Sequence, residues 1–127
     1  MVLIAVLTLA ILTVLTGCME GRYTAIMSLE RNSENAMEMS YFSFDGYKQK
    51  SLNLDQGDEL EITMEMTTDE GDLTISVIGP DGDVLYEAEN IRERAQSTLV
   101  ADKDGTYRIK IKGNHKGGFK VSWNNAS

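Results

Sequence analysis

One pattern constrains this chain more than any other: from Tyr23 to the C terminus, apolar and polar residues alternate with a period of two. No 3.6-residue stripe competes with it, so the segment reads as strands with one face in water and no helix. Tyr23, Ala25, Met27 and Leu29 alternate with Thr24, Ser28 and Glu30. Met37, Met39 and Tyr41 continue the pattern, and Phe42 and Phe44 then shift it by one, as a β-bulge does. Leu52 and Leu54 end a third run, which breaks at Asp55-Gln56-Gly57-Asp58. Leu60, Ile62, Met64 and Met66 follow as the clearest inward set, with Glu59, Glu61, Thr63 and Glu65 outward.

Turn chemistry punctuates these runs. Leu73, Ile75 and Val77 precede Gly79-Pro80-Asp81-Gly82, a strong turn, before Val84-Leu85-Tyr86. Ile91 to Ala95 reads either as one helical turn or as a loop. Leu99 and Val100 come before a turn at Asp102-Lys103-Asp104-Gly105. Tyr107, Ile109 and Ile111 alternate with Arg108, Lys110 and Lys112; the glycine-rich stretch from Gly113 to Gly118 leads into Phe119, Val121 and Trp123. Short strands with turns at this spacing predict an all-β, antiparallel β-sandwich, jelly-roll-like, of eight or nine short strands over residues 23–127. Tyr107, two residues after Gly105, suits a tyrosine corner, its hydroxyl bonded to backbone a few residues upstream, in preference to plain core packing.

The front of the chain is different. Residues 1–17 carry no charge, and the apolar stretch from Val2 to Leu15 is short of the roughly 20 residues that span a bilayer. It suits the apolar core of a signal peptide; a buried core helix is the other reading, and the lack of a polar face beyond threonines speaks against it. Leu15-Thr16-Gly17-Cys18 resembles the lipobox of bacterial lipoproteins. That resemblance implies cleavage before Cys18 and a diacylglyceryl group on its sulfur, with 1–17 as signal peptide and 18–22 as a tether of about 17 Å at most. The Lys or Arg usual before the apolar core is missing, so Met1 need not be the natural start. Cys18 is the sole cysteine, so no disulfide can form within the chain and the domain must fold on packing alone.

Twenty acidic residues against 12 basic ones give a net charge of −8. That balance excludes nucleic acid and electrostatic docking to anionic lipid, both of which need basic surfaces. Membrane contact is therefore expected through acyl chains on Cys18.

Residues able to carry chemistry are few. His115, the only histidine, sits among glycines and lysines, which reads as a solvated hairpin tip with no orienting carboxylate. Asp69-Glu70-Asp72, Asp81/Asp83 and Asp102/Asp104 offer oxygen ligands of the kind calcium takes, but Asp and Gly are also what tight turns need. Glu59, Glu61 and Glu65 form one outward stripe, and Arg108, Lys110, Lys112 and Lys120 another, read as solubilising faces paired across strands. Phe119 and Trp123 could stack on sugars if exposed, but their inward register assigns them to the core.

From Leu54 onward, the strand Glu59 to Met66, Gly71-Asp72-Leu73, Gly79-Pro80-Asp81-Gly82 and Gly105-Thr106-Tyr107 together resemble the bacterial pre-peptidase C-terminal domain. The same stretch is similar to the GOLD domain of Golgi-traffic proteins. Both resemblances imply a sandwich serving as an accessory binding or interaction module, and they transfer no functional residue, because the matching positions are turns. The expected function is a lipid-anchored, non-catalytic binding or assembly module of the bacterial cell envelope, contacting a protein or a glycan. The alternative is a calcium-dependent or solute-binding lipoprotein. No catalytic residue, cofactor or metal is expected.

Overall fold

The computed structural model describes residues 19–26 and 28–126. The expected signal peptide over 1–17, the acylated Cys18 and the inward Met27 lie outside the described residues. Seven strands are seen: β1 (Met19–Ile26), β2 (Leu29–Ser33), β3 (Ala36–Leu54), β4 (Glu59–Ile78), β5 (Val84–Glu89), β6 (Ala95–Val100) and β7 (Gly105–Ala126). The sheet is antiparallel throughout, in the order β1-β3-β7-β4-β5, with β2 also on β3 and β6 also on β4.

The strand count falls below eight because three long strands each carry two of the short runs in the sequence. β3, β7 and β4 lie side by side for nearly their whole length. At one end β2 and β6 flank them; at the other, β1 and β5 do. The long trio bends in the middle, so its two ends become two leaves facing each other. Met37, Ile62, Met64 and Val121 from one leaf share a single buried cluster with Phe44, Ile75, Ile109 and Ile111 from the other. The molecule is thus an all-β antiparallel sandwich. Ile62, Ile75, Ile109 and Val121 are wholly buried, as their register predicts, each contributing about 1.5–3 kcal/mol.

Two register shifts and a run of glycines make the bend. β3 carries a bulge between Tyr41 and Phe44, the place where the sequence pattern slips, and β4 carries one between Thr68 and Glu70. Phe42, extruded by the first bulge, is exposed. In β7, Gly117 has φ +136° and a Cβ there would run into the Thr67 carbonyl oxygen. Gly113 to Gly118 is therefore not the hairpin tip that its glycines predict. It is the crowded middle of a strand that continues from one leaf into the other. His115 within it is 1% exposed, and the expectation of a solvated histidine is overturned. The acidic stretch Asp69 to Asp72 likewise lies inside β4 and not in a turn.

Other expectations hold. Tyr107 donates from its hydroxyl to the Lys103 carbonyl at 2.8 Å, the tyrosine-corner bond. Trp123 and Phe119 are buried. Residues 91–94 form a loop ahead of β6. β1 begins at Met19, so residues 19–22, expected as tether, are already paired with Tyr47 to Lys50.

Opposite the bend, the ends of the two leaves meet at a mouth closed by turns. Gly57 N donates to Ala101 O and Ala101 N to Asp58 O, both at 2.8 Å, lacing the β3–β4 and β6–β7 connections together. The Gln56 amide donates to Asp104 Oδ1 at 2.7 Å, and Lys103 pairs with Asp81. Along one side, Lys48 of β3 points inward and is 3% exposed. It pairs with Glu30 and donates to Asn32 Oδ1 at 2.9 Å, both on β2, while the Tyr23 hydroxyl donates to Glu30 at 3.1 Å. Burial pulls its ammonium down to about 8, which still leaves it charged and paired at neutral pH.

Candidate functional site

His115 is the single histidine, the side chain whose ordinary pKa lies closest to neutrality. Its Nδ1 lies 2.7 Å from the Tyr41 hydroxyl and its Nε2 2.8 Å from Thr68 Oγ1. Both ring nitrogens are thereby engaged, and Tyr41 meets the ring edge-on at a centroid distance of 5.7 Å. Burial pushes the imidazole below its usual 6.5, against the opposing pull of Asp69 and Asp72, and it pushes the Tyr41 phenol up. A neutral phenol whose proton must be accepted somewhere buried assigns Nδ1 as acceptor and Nε2–H as donor to Thr68. This is a structural bolt across β3, β7 and β4, with the imidazole itself buried.

The acidic turns are engaged in turn-making. Asp58 Oδ2 accepts from the Asp55 amide, Asp104 from Gln56, and Asp102 from the Tyr107 hydroxyl at 3.4 Å. Asp72 accepts from Asn90, whose positive φ of 52° and bonds to Leu73 fasten the end of β5 to β4. Among the described residues, no three of His, Cys, Asp or Glu gather as a metal site would need. The glutamate and lysine stripes mostly part company: Glu59 and Glu61 lie on one leaf, Arg108, Lys110 and Lys112 on the other, and only Glu65 faces Lys120 in register.

Several concavities of similar size open among the described residues, and two of them contrast in chemistry. A groove of about 500 Å³ on the outer surface of the first leaf is floored by Gly117, Gly118, Ser40 and Thr67. Its walls are charges that neutralise one another: Lys120 sits between Glu38 and Glu65 in the ladder, and Arg94 Nε approaches Glu65 at 3.9 Å. A second cleft, of about 440 Å³, opens at the mouth of the sandwich between the two leaves. Leu52 and the largely buried Leu54 and Trp123 are its apolar lining residues. Around them stand Asn35, Asn53, Asn124, Asn125 and Ser51, with one charge of each sign, Glu34 and Lys50.

Local structure explains how these residues converge. The β2–β3 turn holds Asn35 over the end of β7, where the Trp123 amide donates to its carbonyl at 3.0 Å. Leu52 and Leu54 alternate with Ser51 and Asn53 on the last residues of β3, and Asn53 Oδ1 accepts from the Thr106 hydroxyl at 3.0 Å. The cleft therefore gathers mainly polar side chains, the groups that fix the orientation of a small ligand. Sequence reasoning missed this cleft. The local signal for it is the Asn124-Asn125 pair that follows Trp123.

A third surface is apolar. Ile26, Leu29 and Phe42 are exposed side by side at the bend, with Lys116 Nζ 5.0 Å above the Phe42 ring.

Neither protein-family models nor curated protein sequences match this chain. Solved structures with a similar course include TmCBM61 in complex with beta-1,4-galactotriose, at 13% identity and a TM-score of 0.47, covering 84% of this chain and 86% of that one. A structure described as "CBM4 structure and function" is similar at 8% identity and a TM-score of 0.48, covering 90% and 82% respectively. The enzymatically active domain of bacteriophage CBA120 tailspike protein 4 is similar at 13% identity and a TM-score of 0.47 over 87% of this chain, which spans only 19% of that one.

Proposed function

We propose that this chain is a lipid-anchored, non-catalytic binding module of the bacterial cell envelope, and that it binds a glycan in the mouth cleft. The cleft carries this reading. A sugar's hydroxyls need donors and acceptors together, and the cleft rim is rich in both. An asparagine supplies both from one side chain, and four of them surround the cleft. The sealed state of His115 supports a module without catalysis. The anchor rests on the apolar run and on Leu15-Thr16-Gly17-Cys18. Two or more acyl chains hold a protein firmly to a bilayer without any basic surface.

The test is binding of the membrane-purified protein to an array of envelope glycans. Binding should appear on some of them and weaken about tenfold in Asn125→Ala, the loss of one good hydrogen bond to ligand. Retention of a partner protein with no glycan bound would move the function to protein contact.

A further inference from the structure

We infer that the mouth cleft faces the membrane and takes the polyhydroxylated headgroup of a lipid in the same bilayer. This rests on the glycan-cleft and lipid-anchor reading above and adds the source of the ligand. The argument is one of register. Met19 is the Cα partner of Lys50, and Lys50 lines the cleft. One peptide bond separates Met19 from Cys18, so a lipid on Cys18 would join the chain next to the residue that pairs with Lys50.

β1 is paired with β3 along its described length, Met19–Ile26. The cleft mouth and the acylated end of the chain therefore share one end of the sandwich. The bend, with Ile26 some 23 Å further along β1, is the end that points away. An anchored cleft meets headgroups at very high local concentration, so weak intrinsic affinity suffices for occupancy. The cleft's chemistry suits such a headgroup: Lys50 is its one cation, balanced by Glu34, and the remaining polar groups are amides and a hydroxyl. This favours vicinal hydroxyls over a bare phosphate.

Trp123, the only tryptophan, lines the cleft and reports its occupancy by fluorescence. The lipidated protein would be placed in vesicles made from the lipid extract of its own membrane. A matched extract would first be treated with mild periodate, which cleaves vicinal diols. The expected result is a Trp123 emission shift in untreated vesicles that is absent after periodate, and that Asn124→Ala reduces about tenfold in apparent affinity. An emission shift with soluble envelope oligosaccharides but none with untreated vesicles overturns this inference and leaves the glycan reading standing. No shift with either ligand overturns both. A shift that survives periodate shows bilayer contact without hydroxyl recognition and also overturns it.

Discussion

The Tyr41 hydroxyl lies 2.7 Å from Nδ1 of His115, although 74 positions separate the two residues in the chain. That bond joins β3 to β7 at the point where both strands leave one leaf for the other. With Thr68 on the far side, it spans all three long strands.

Acid should therefore loosen the sandwich. The folded value of His115 lies below its unfolded value near 6.5, so the folded state favours the neutral ring. Its contribution is full above the unfolded value and is lost as pH falls through the lower folded one. Thermal midpoints measured at falling pH should drop across that window. The drop should be shallower in His115→Gln, and an equal drop in both proteins would assign it to carboxylates alone.

Removing the imidazole should cost far more than a surface change. His115→Ala leaves a cavity and strands the buried Tyr41 hydroxyl, for a loss of about 2–4 kcal/mol. Urea unfolding measures it, and a loss under about 0.5 kcal/mol, the range of surface positions, would contradict the sealed geometry.

Gly117→Ala should be among the most damaging single substitutions. Its φ of +136° disfavours any side chain, and the added methyl meets backbone that cannot move aside. A loss of several kcal/mol is expected, on the order of 4 or more, visible as failure to accumulate folded protein. Gly82→Ala, also at positive φ but with open space around it, should cost only about 1 kcal/mol.

Tyr107→Phe tests the corner. It deletes the 2.8 Å bond to Lys103 while keeping the ring in the core, so about 1–1.5 kcal/mol should be lost. The loss should come with faster amide exchange at Gln56 and Gly57, whose bonds reach the same loop.

Mass spectrometry of the protein from its native membrane addresses the anchor. The expected species is Cys18 to Ser127 plus lipid, and Cys18→Ser should leave an unlipidated precursor. An unmodified Cys18 thiol in the wild type would remove both the anchor and the orientation drawn from it.

The local rules of strand and turn were enough to read much of this molecule. Alternation placed Ile62, Ile75, Ile109 and Val121 in the core, because register on a half-buried sheet allows each residue one face only. The slip at Phe42 marked a bulge, and Gly105-Thr106-Tyr107 marked a corner, since both are written within a few neighbouring residues. Tertiary structure decided the rest. Glycines read locally as turns, yet Gly113 to Gly118 continue a strand because β3 and β4 crowd it from both sides. That choice buried His115, put Asp69 to Asp72 inside β4, and folded three long strands over so that Asn35, Leu52 and Trp123 came to line one cleft. Those three meet only because the two ends of a bent sheet come together, a closure that no local window of sequence contains.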